Sequence, residues 1–135
     1  MANNTFSLYP LDDDLAMARL VSAGLPVAAI RKLGAALGVR PVKVGPLVNI
    51  NEKTLERRLQ SGDRLKPAES ERVARLMRIM ALATVVLENE SNAREWLRRP
   101  LKVLNGKSPL ELTSTEPGAR EVEHVLGRLE HGVFS

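Results

Sequence analysis

The sequence predicts an all-α protein, and three observations carry that expectation. Apolar residues recur at intervals of three and four rather than two. Most of these stretches open on a capping residue or a proline and close on a glycine or ahead of a proline. The 44% apolar content includes only 3% aromatics, so Leu, Val, Ala and Ile must fill the core, and that mix favours helices.

Taken in order, Asp12 is placed to cap a first helix carrying Leu15, Met17, Leu20 and Val21 and ending at Gly24. The run Asp12-Asp13-Asp14 suits the positive end of a helix dipole better than a cation site. Pro26 sits in the first turn of a second helix, with Val27, Ile30, Leu33 and Leu37 at helical spacing and Gly38 as its stop. Pro41 opens a short segment through Val48. Asn49-Ile50-Asn51 then turns the chain, and Asn51 caps a helix from Glu52 to about Ser61, stopped by Gly62.

The longest helix is entered through Leu65-Lys66-Pro67 and runs to about Glu88. Its first part has a stripe of Val73, Leu76, Met77 and Met80, with Arg72, Arg75 and Arg78 largely off it. From Ile79 to Leu87 only Thr84 is not apolar. A helix apolar on all sides is expected to be buried on all sides, between two halves of the chain or against a second subunit. Ser91 is expected to cap a helix from Asn92 to Arg99, which must stop before Pro100. Ser108-Pro109 starts a short helix through Leu112. Thr115 caps a last one, carrying Val122, Val125, Leu126 and Leu129 to Gly132. The implied organisation is an N-terminal domain over 1–67, a central helix over 68–88 and a C-terminal domain over 89–135.

Composition excludes several function classes. There is no cysteine, hence no disulfide framework and no thiolate metal site. No apolar run reaches about 18 residues and the first residues lack a basic leader, so a cytoplasmic protein without a membrane span is expected. His124 and His131 lie seven apart, not at the spacing a helical metal site needs. No Gly-x-Ser-x-Gly elbow, phosphate loop or dinucleotide fingerprint occurs. The chain therefore reads as a non-enzyme with no cofactor and no metal. Its net charge of +4 is uneven: residues 1–87 carry 13 Lys and Arg against 8 Asp and Glu, while 88–135 carry 7 against 8. A basic front half attracts a polyanion such as DNA, although ordinary solvated helices share such a charge.

Pro41 to Ser61 has the spacing of a helix-turn-helix. Gly45 is small enough for two helices to cross closely, Asn49 tolerates a left-handed turn, and Ile50 and Leu55 pack inward. Lys53, Thr54, Arg57 and Arg58 then form the candidate DNA-binding set, Arg for base edges and Lys and Thr for phosphates. Two departures stand out. Pro46 falls inside the first helix, and Arg58 stands where such units often place an apolar residue. The alternative is a helix hairpin whose arginines are merely solvated.

In the last third, Trp96 and Leu97 join Ala93 on the apolar side of a helix that otherwise carries Arg94, Glu95, Arg98 and Arg99. Trp96 reads as a core residue or as a partner contact. The set Ala93, Trp96, Leu97, Pro100, Leu104, Gly106, Pro109, Leu110, Gly118, Ala119, Val122, Leu126, Arg128 and Gly132 resembles the toxin-binding domain of the Xre/MbcA/ParS-type antitoxins. Upstream, Thr54-Leu55-Glu56-Arg57-Arg58 and Leu65 through Arg72 extend the resemblance towards Gly24.

That resemblance implies a RES-domain toxin partner that consumes NAD or transfers its ADP-ribose, and an antitoxin whose C-terminal region occludes the toxin's active site. It also implies a homodimer that binds operator DNA and represses its own operon. Trp96, Arg128, His131, Val133, Phe134 and Ser135 are the candidate toxin-binding residues. The apolar end with its carboxylate suits a cationic nucleotide site; the bland reading is a frayed terminus. Two other readings remain: a free-standing helix-turn-helix regulator with a C-terminal dimerisation domain, and an antitoxin whose front half no longer touches DNA.

Overall fold

The computed structural model describes residues 5–132. It contains helices α1 (Asp14–Ala23), α2 (Ala28–Leu37), α3 (Glu52–Ser61), α4 (Pro67–Val86), α5 (Glu90–Arg98), α6 (Pro109–Leu112) and α7 (Glu116–Glu130), with 3₁₀ segments at Pro41–Val48 and Lys102–Leu104. Among the described residues no strand forms, only isolated bridges between Pro26 and Arg64 and between Leu101 and Lys107. The all-α expectation holds. The chain folds as two units, residues 5–77 and 78–132, which divide α4 between Met77 and Arg78. No helix among the described residues is long and apolar enough to cross a membrane.

In the first unit α2 packs on the 3₁₀ segment, which packs in turn on α3. Ile30, Leu33 and Leu37 from α2, Val44 and Val48 from the segment and Leu55 from α3 are all buried. The loop before α2 is tied to the start of α4: Ser70 Oγ accepts the Leu25 N–H at 2.8 Å, and the Leu65 N–H donates to the Leu25 carbonyl at 2.9 Å. Pro26 stands just outside α2, its carbonyl accepting the Ala29 N–H at 3.0 Å, rather than in the first turn.

The α1 cap is Asp13, not Asp12: its carboxylate accepts the Ala16 N–H at 3.0 Å, leaving Asp14 in the first turn. No residue of α1 is fully buried, and Leu15 and Leu20 are exposed.

In the second unit α5 packs on α6 and α6 on α7. Ala93 and Leu97 on α5, with Ala119, Val122, Val125 and Leu126 on α7, are buried. Ser108 and Glu111 form a reciprocal capping box that fixes the start of α6. Gly118 lies against the Leu112 carbonyl so closely that any Cβ there would overlap it. This close passage lets α7 start directly after α6. Arg78 ties α4 to α7, donating to Glu116 at 2.9 Å and to Glu123 at 3.3 Å.

Two boundaries differ from expectation. α4 ends at Val86, and Glu88 takes a left-handed conformation (φ 81°) that usually calls for glycine. The cap of α5 is then Asn89, whose side chain accepts the Asn92 N–H at 2.8 Å, so α5 begins before Ser91. The apolar stretch Ile79–Leu87 is not covered on all sides either. Ile79, Met80, Ala83 and Thr84 are buried, but Val85 is 64% exposed and Leu82 and Val86 are half-buried. The reason is geometric: within this chain the buried residues share one side, and Leu82, Val85 and Val86 share another.

Candidate DNA-reading helix and toxin-facing unit

The turn between the 3₁₀ segment and α3 has the close crossing that a helix-turn-helix requires. Asn49 adopts the left-handed conformation (φ 56°, ψ 48°), and the Ile50 N–H donates to the Gly45 carbonyl at 2.8 Å. A Cβ on Gly45 would stand 2.6 Å from the Ile50 carbonyl oxygen, so only glycine fits. The first helix of the motif is 3₁₀ rather than α. It is eight residues long and contains Pro46, which has no N–H to give to an α ladder. Asn51 caps α3 by accepting the Lys53 and Thr54 N–H groups, and Lys43 pairs with Glu52 at 3.2 Å.

Side chains from α2 and α4 hold this turn and α3 from outside the motif. Arg72 Nε donates to the Val48 carbonyl at 2.6 Å and its Nη2 to Asn49 at 3.4 Å, clamping the two residues that end the 3₁₀ segment. Arg31 Nη2 reaches the Leu59 carbonyl at 3.2 Å. Arg58, expected on the DNA face, turns inward instead and forms a close ion pair with Glu69. Its side chain is only 10% exposed and that of Glu69 12%, so Arg58 is a structural residue and cannot reach a base edge. It stands where an apolar residue belonged because it faces the inside of the motif. Burial pushes the Glu69 carboxyl up, but hydrogen bonds from Arg58 and the Lys66 N–H and the Arg58 charge outweigh it and hold the carboxyl below its ordinary range.

Of the other candidates on α3, Lys53 and Arg57 are exposed one turn apart and Thr54 is half-buried beside them. Gln60, three residues beyond Arg57, is exposed on the same side. Sequence reasoning passed over Gln60, although its spacing from Arg57 was legible. The missed supports Arg72 and Glu69 left no local signal.

In the second unit Trp96 is half-buried beside the buried Ala93 and Leu97. Arg128 is half-buried in the last turn of α7, and His131 is exposed just past its end, where its N–H donates to the Gly127 carbonyl at 3.1 Å. Val133, Phe134 and Ser135 lie outside the described residues. His124 stands 3.7 Å from Glu121 on the surface, and no group of three or more His, Cys, Asp or Glu among the described residues is placed to hold a metal ion.

These two units correspond to two known domains. Residues 16–78 match the antitoxin Xre-like helix-turn-helix domain, and residues 81–132 match the antitoxin Xre/MbcA/ParS C-terminal toxin-binding domain. An antitoxin Xre from Yersinia enterocolitica is 35% identical over 116 residues, spanning 85% of this chain and 78% of the relative. The chain belongs to the Xre antitoxin family. A second antitoxin Xre, from Photorhabdus laumondii, is 28% identical over 86% of this chain and 79% of its own length. A Sphingobium protein named "Prs ADP-ribosylating antitoxin" is 23% identical over 86% of the chain and 79% of the relative. Each Xre domain thus coincides with one folded unit: the DNA-binding type with α1 to the first part of α4, the toxin-binding type with the rest.

Proposed function

We propose that this Xre antitoxin neutralises a RES-domain toxin, one that consumes NAD or transfers its ADP-ribose, by occluding the toxin's active site with its C-terminal region. It acts without catalysis of its own. The same chain, as a homodimer, binds operator DNA through α3 and represses its operon. The observation that carries the reading is the union in one chain of a toxin-binding unit and a helix-turn-helix whose second helix presents Lys53 and Arg57 to solvent. The name of the Sphingobium relative supports ADP-ribose chemistry in the partner. Lys53 and Arg57 supply charge for phosphates, Arg57 and Gln60 donor groups for base edges, and Thr54 a phosphate contact. Arg128 and His131, at the end of α7, precede in sequence the terminal residues assigned to the toxin's cleft, and Trp96 lies on α5 of the same unit.

Co-expression tests it. With the RES-domain toxin of its operon, the chain is expected to restore growth and cellular NAD, and to co-purify with the toxin. A chain that binds the operator fragment but neither protects nor binds the toxin would establish the free-standing regulator instead.

A further inference from the structure

We infer that the loop Leu101–Lys107 is a second docking element for the toxin, one that grips an acidic, partly apolar surface of that partner. This rests on the toxin-binding reading above and adds a site to it.

The first observation is charge. Residues 101–107 hold two Lys and no Asp or Glu, whereas the rest of 88–135 holds five Lys and Arg against eight Asp and Glu. A basic loop thus stands on an otherwise acidic unit. Arg94 and Arg99 are matched within their own helix, by Glu90 and Glu95. Lys102 and Lys107 are exposed, and among the described residues no carboxylate lies within ion-pair distance of either.

The second observation is rigidity. The Leu101 N–H donates to the Lys107 carbonyl at 3.1 Å and the Gly106 N–H to the Leu101 carbonyl at 2.9 Å, closing the loop on itself. Asn105 and Gly106 both take positive φ (57° and 81°), which completes the tight reversal. Leu104 is buried as an anchor below, and the Ser108–Glu111 capping box fixes the exit. Such a loop is already ordered before it meets a partner, so little conformational entropy is lost on binding.

The third is Val103, which is 48% exposed between the flanking lysines. An apolar tip with a cationic rim matches the composition of a protein interface, apolar in its middle and polar at its edge. Phosphates would make use of the lysines and leave the valine idle. The loop also lies wholly inside the stretch that matches the toxin-binding domain.

The test uses the full chain and a catalytically silent form of the RES-domain toxin of its operon. Lys102→Glu with Lys107→Glu is expected to weaken toxin binding at least tenfold at low salt, chiefly through slower association, the difference shrinking as salt is added. Val103→Ser is expected to weaken binding several-fold at every salt concentration. Both variants are expected to keep the wild-type unfolding midpoint and operator affinity. Unchanged toxin affinity in both variants, with wild-type binding intact, overturns the loop assignment alone. Loss of operator affinity with toxin affinity unchanged also overturns it, since the loop would then be a phosphate contact. A wild-type chain that does not bind the toxin overturns this inference and the reading beneath it together.

Discussion

The Arg58 guanidinium on α3 and the Glu69 carboxylate at the start of α4 form an ion pair almost sealed from solvent. The pair therefore fixes α3, the candidate DNA-reading helix, onto the start of α4. Desolvating two charges is costly, so the pair specifies geometry more than it adds stability, and removing one partner strands the other. Arg58→Ala is expected to destabilise the first unit by roughly 3 kcal/mol, read as a lower denaturant midpoint in the unfolding curve. Replacing both partners with apolar residues, as in Arg58→Met with Glu69→Leu, is expected to recover most of that loss.

The same carboxylate gives the stability a pH dependence. Glu69 is held below its ordinary value of 4.5 in the folded state, so the unfolded chain binds the proton more tightly. Its stabilising contribution is complete above about that value and is lost as the pH falls through the lower folded one. Glu69→Gln is expected to be less stable than wild type at neutral pH and to lose the part of the acid slope that Glu69 causes. Parallel pH–stability curves for the two proteins would contradict this.

On α3 the prediction separates surface from core. Arg57→Ala with Lys53→Ala is expected to abolish operator binding and leave the free energy of unfolding within about 0.5 kcal/mol of wild type, since both side chains are exposed. Any remaining affinity is expected to fall less steeply with salt, because two phosphate or base partners are gone. An unchanged mobility shift of the promoter fragment would sink the assignment of α3 as the reading helix.

The helix-turn-helix was legible where local chemistry dictates structure. Gly45, Asn49, Ile50 and the Asn51 cap each have a conformational reason to stand where they do, and short-range spacing displays it. Arg58 was not legible as a buried residue because its partner, Glu69, comes from another helix. The one local hint was an arginine in an apolar position. The end of α4 was hidden because Glu88 does what glycine usually does, and the cap of α5, expected at Ser91, falls instead on Asn89, two residues earlier. In the second unit the spacing of Ala93, Leu97, Ala119, Val122 and Leu126 revealed the buried face. The ion pairs of Arg78 with Glu116 and Glu123 belong to tertiary structure and left no pattern to read.

Leu82, Val85 and Val86 leave an apolar side of α4 partly exposed among the described residues, which is where the proposed homodimer contact belongs. Val85→Glu places a charge on the most exposed of these positions and is expected to shift light scattering from dimer to monomer with the helical content retained. Val86→Glu, at a half-buried position, is expected to disturb the fold as well. A wild-type chain that scatters as a monomer at micromolar concentration would refute the dimer.

The terminal residues give the most direct functional test. Helix α7 is closed before them: the His131 N–H donates to the Gly127 carbonyl at 3.1 Å and the Gly132 N–H to the Leu129 carbonyl at 3.2 Å. Deleting Val133, Phe134 and Ser135 leaves both bonds in place, so the truncated chain is expected to fold with an unchanged midpoint. If these residues enter the toxin's cleft, the truncated chain will fail to protect cells expressing the toxin. Burial of Phe134 alone contributes on the order of 1.5–3 kcal/mol, which is roughly a tenfold to hundredfold change in affinity. Residual binding through the rest of the unit is expected, so the complex will still form at high concentration while the toxin stays active in it. Arg128→Ala and His131→Ala, one turn apart at the approach to that end, are expected to give smaller losses of the same kind. Full protection by the truncated chain would move inhibition to the domain surface, and the helix bearing Trp96 would then be the place to look.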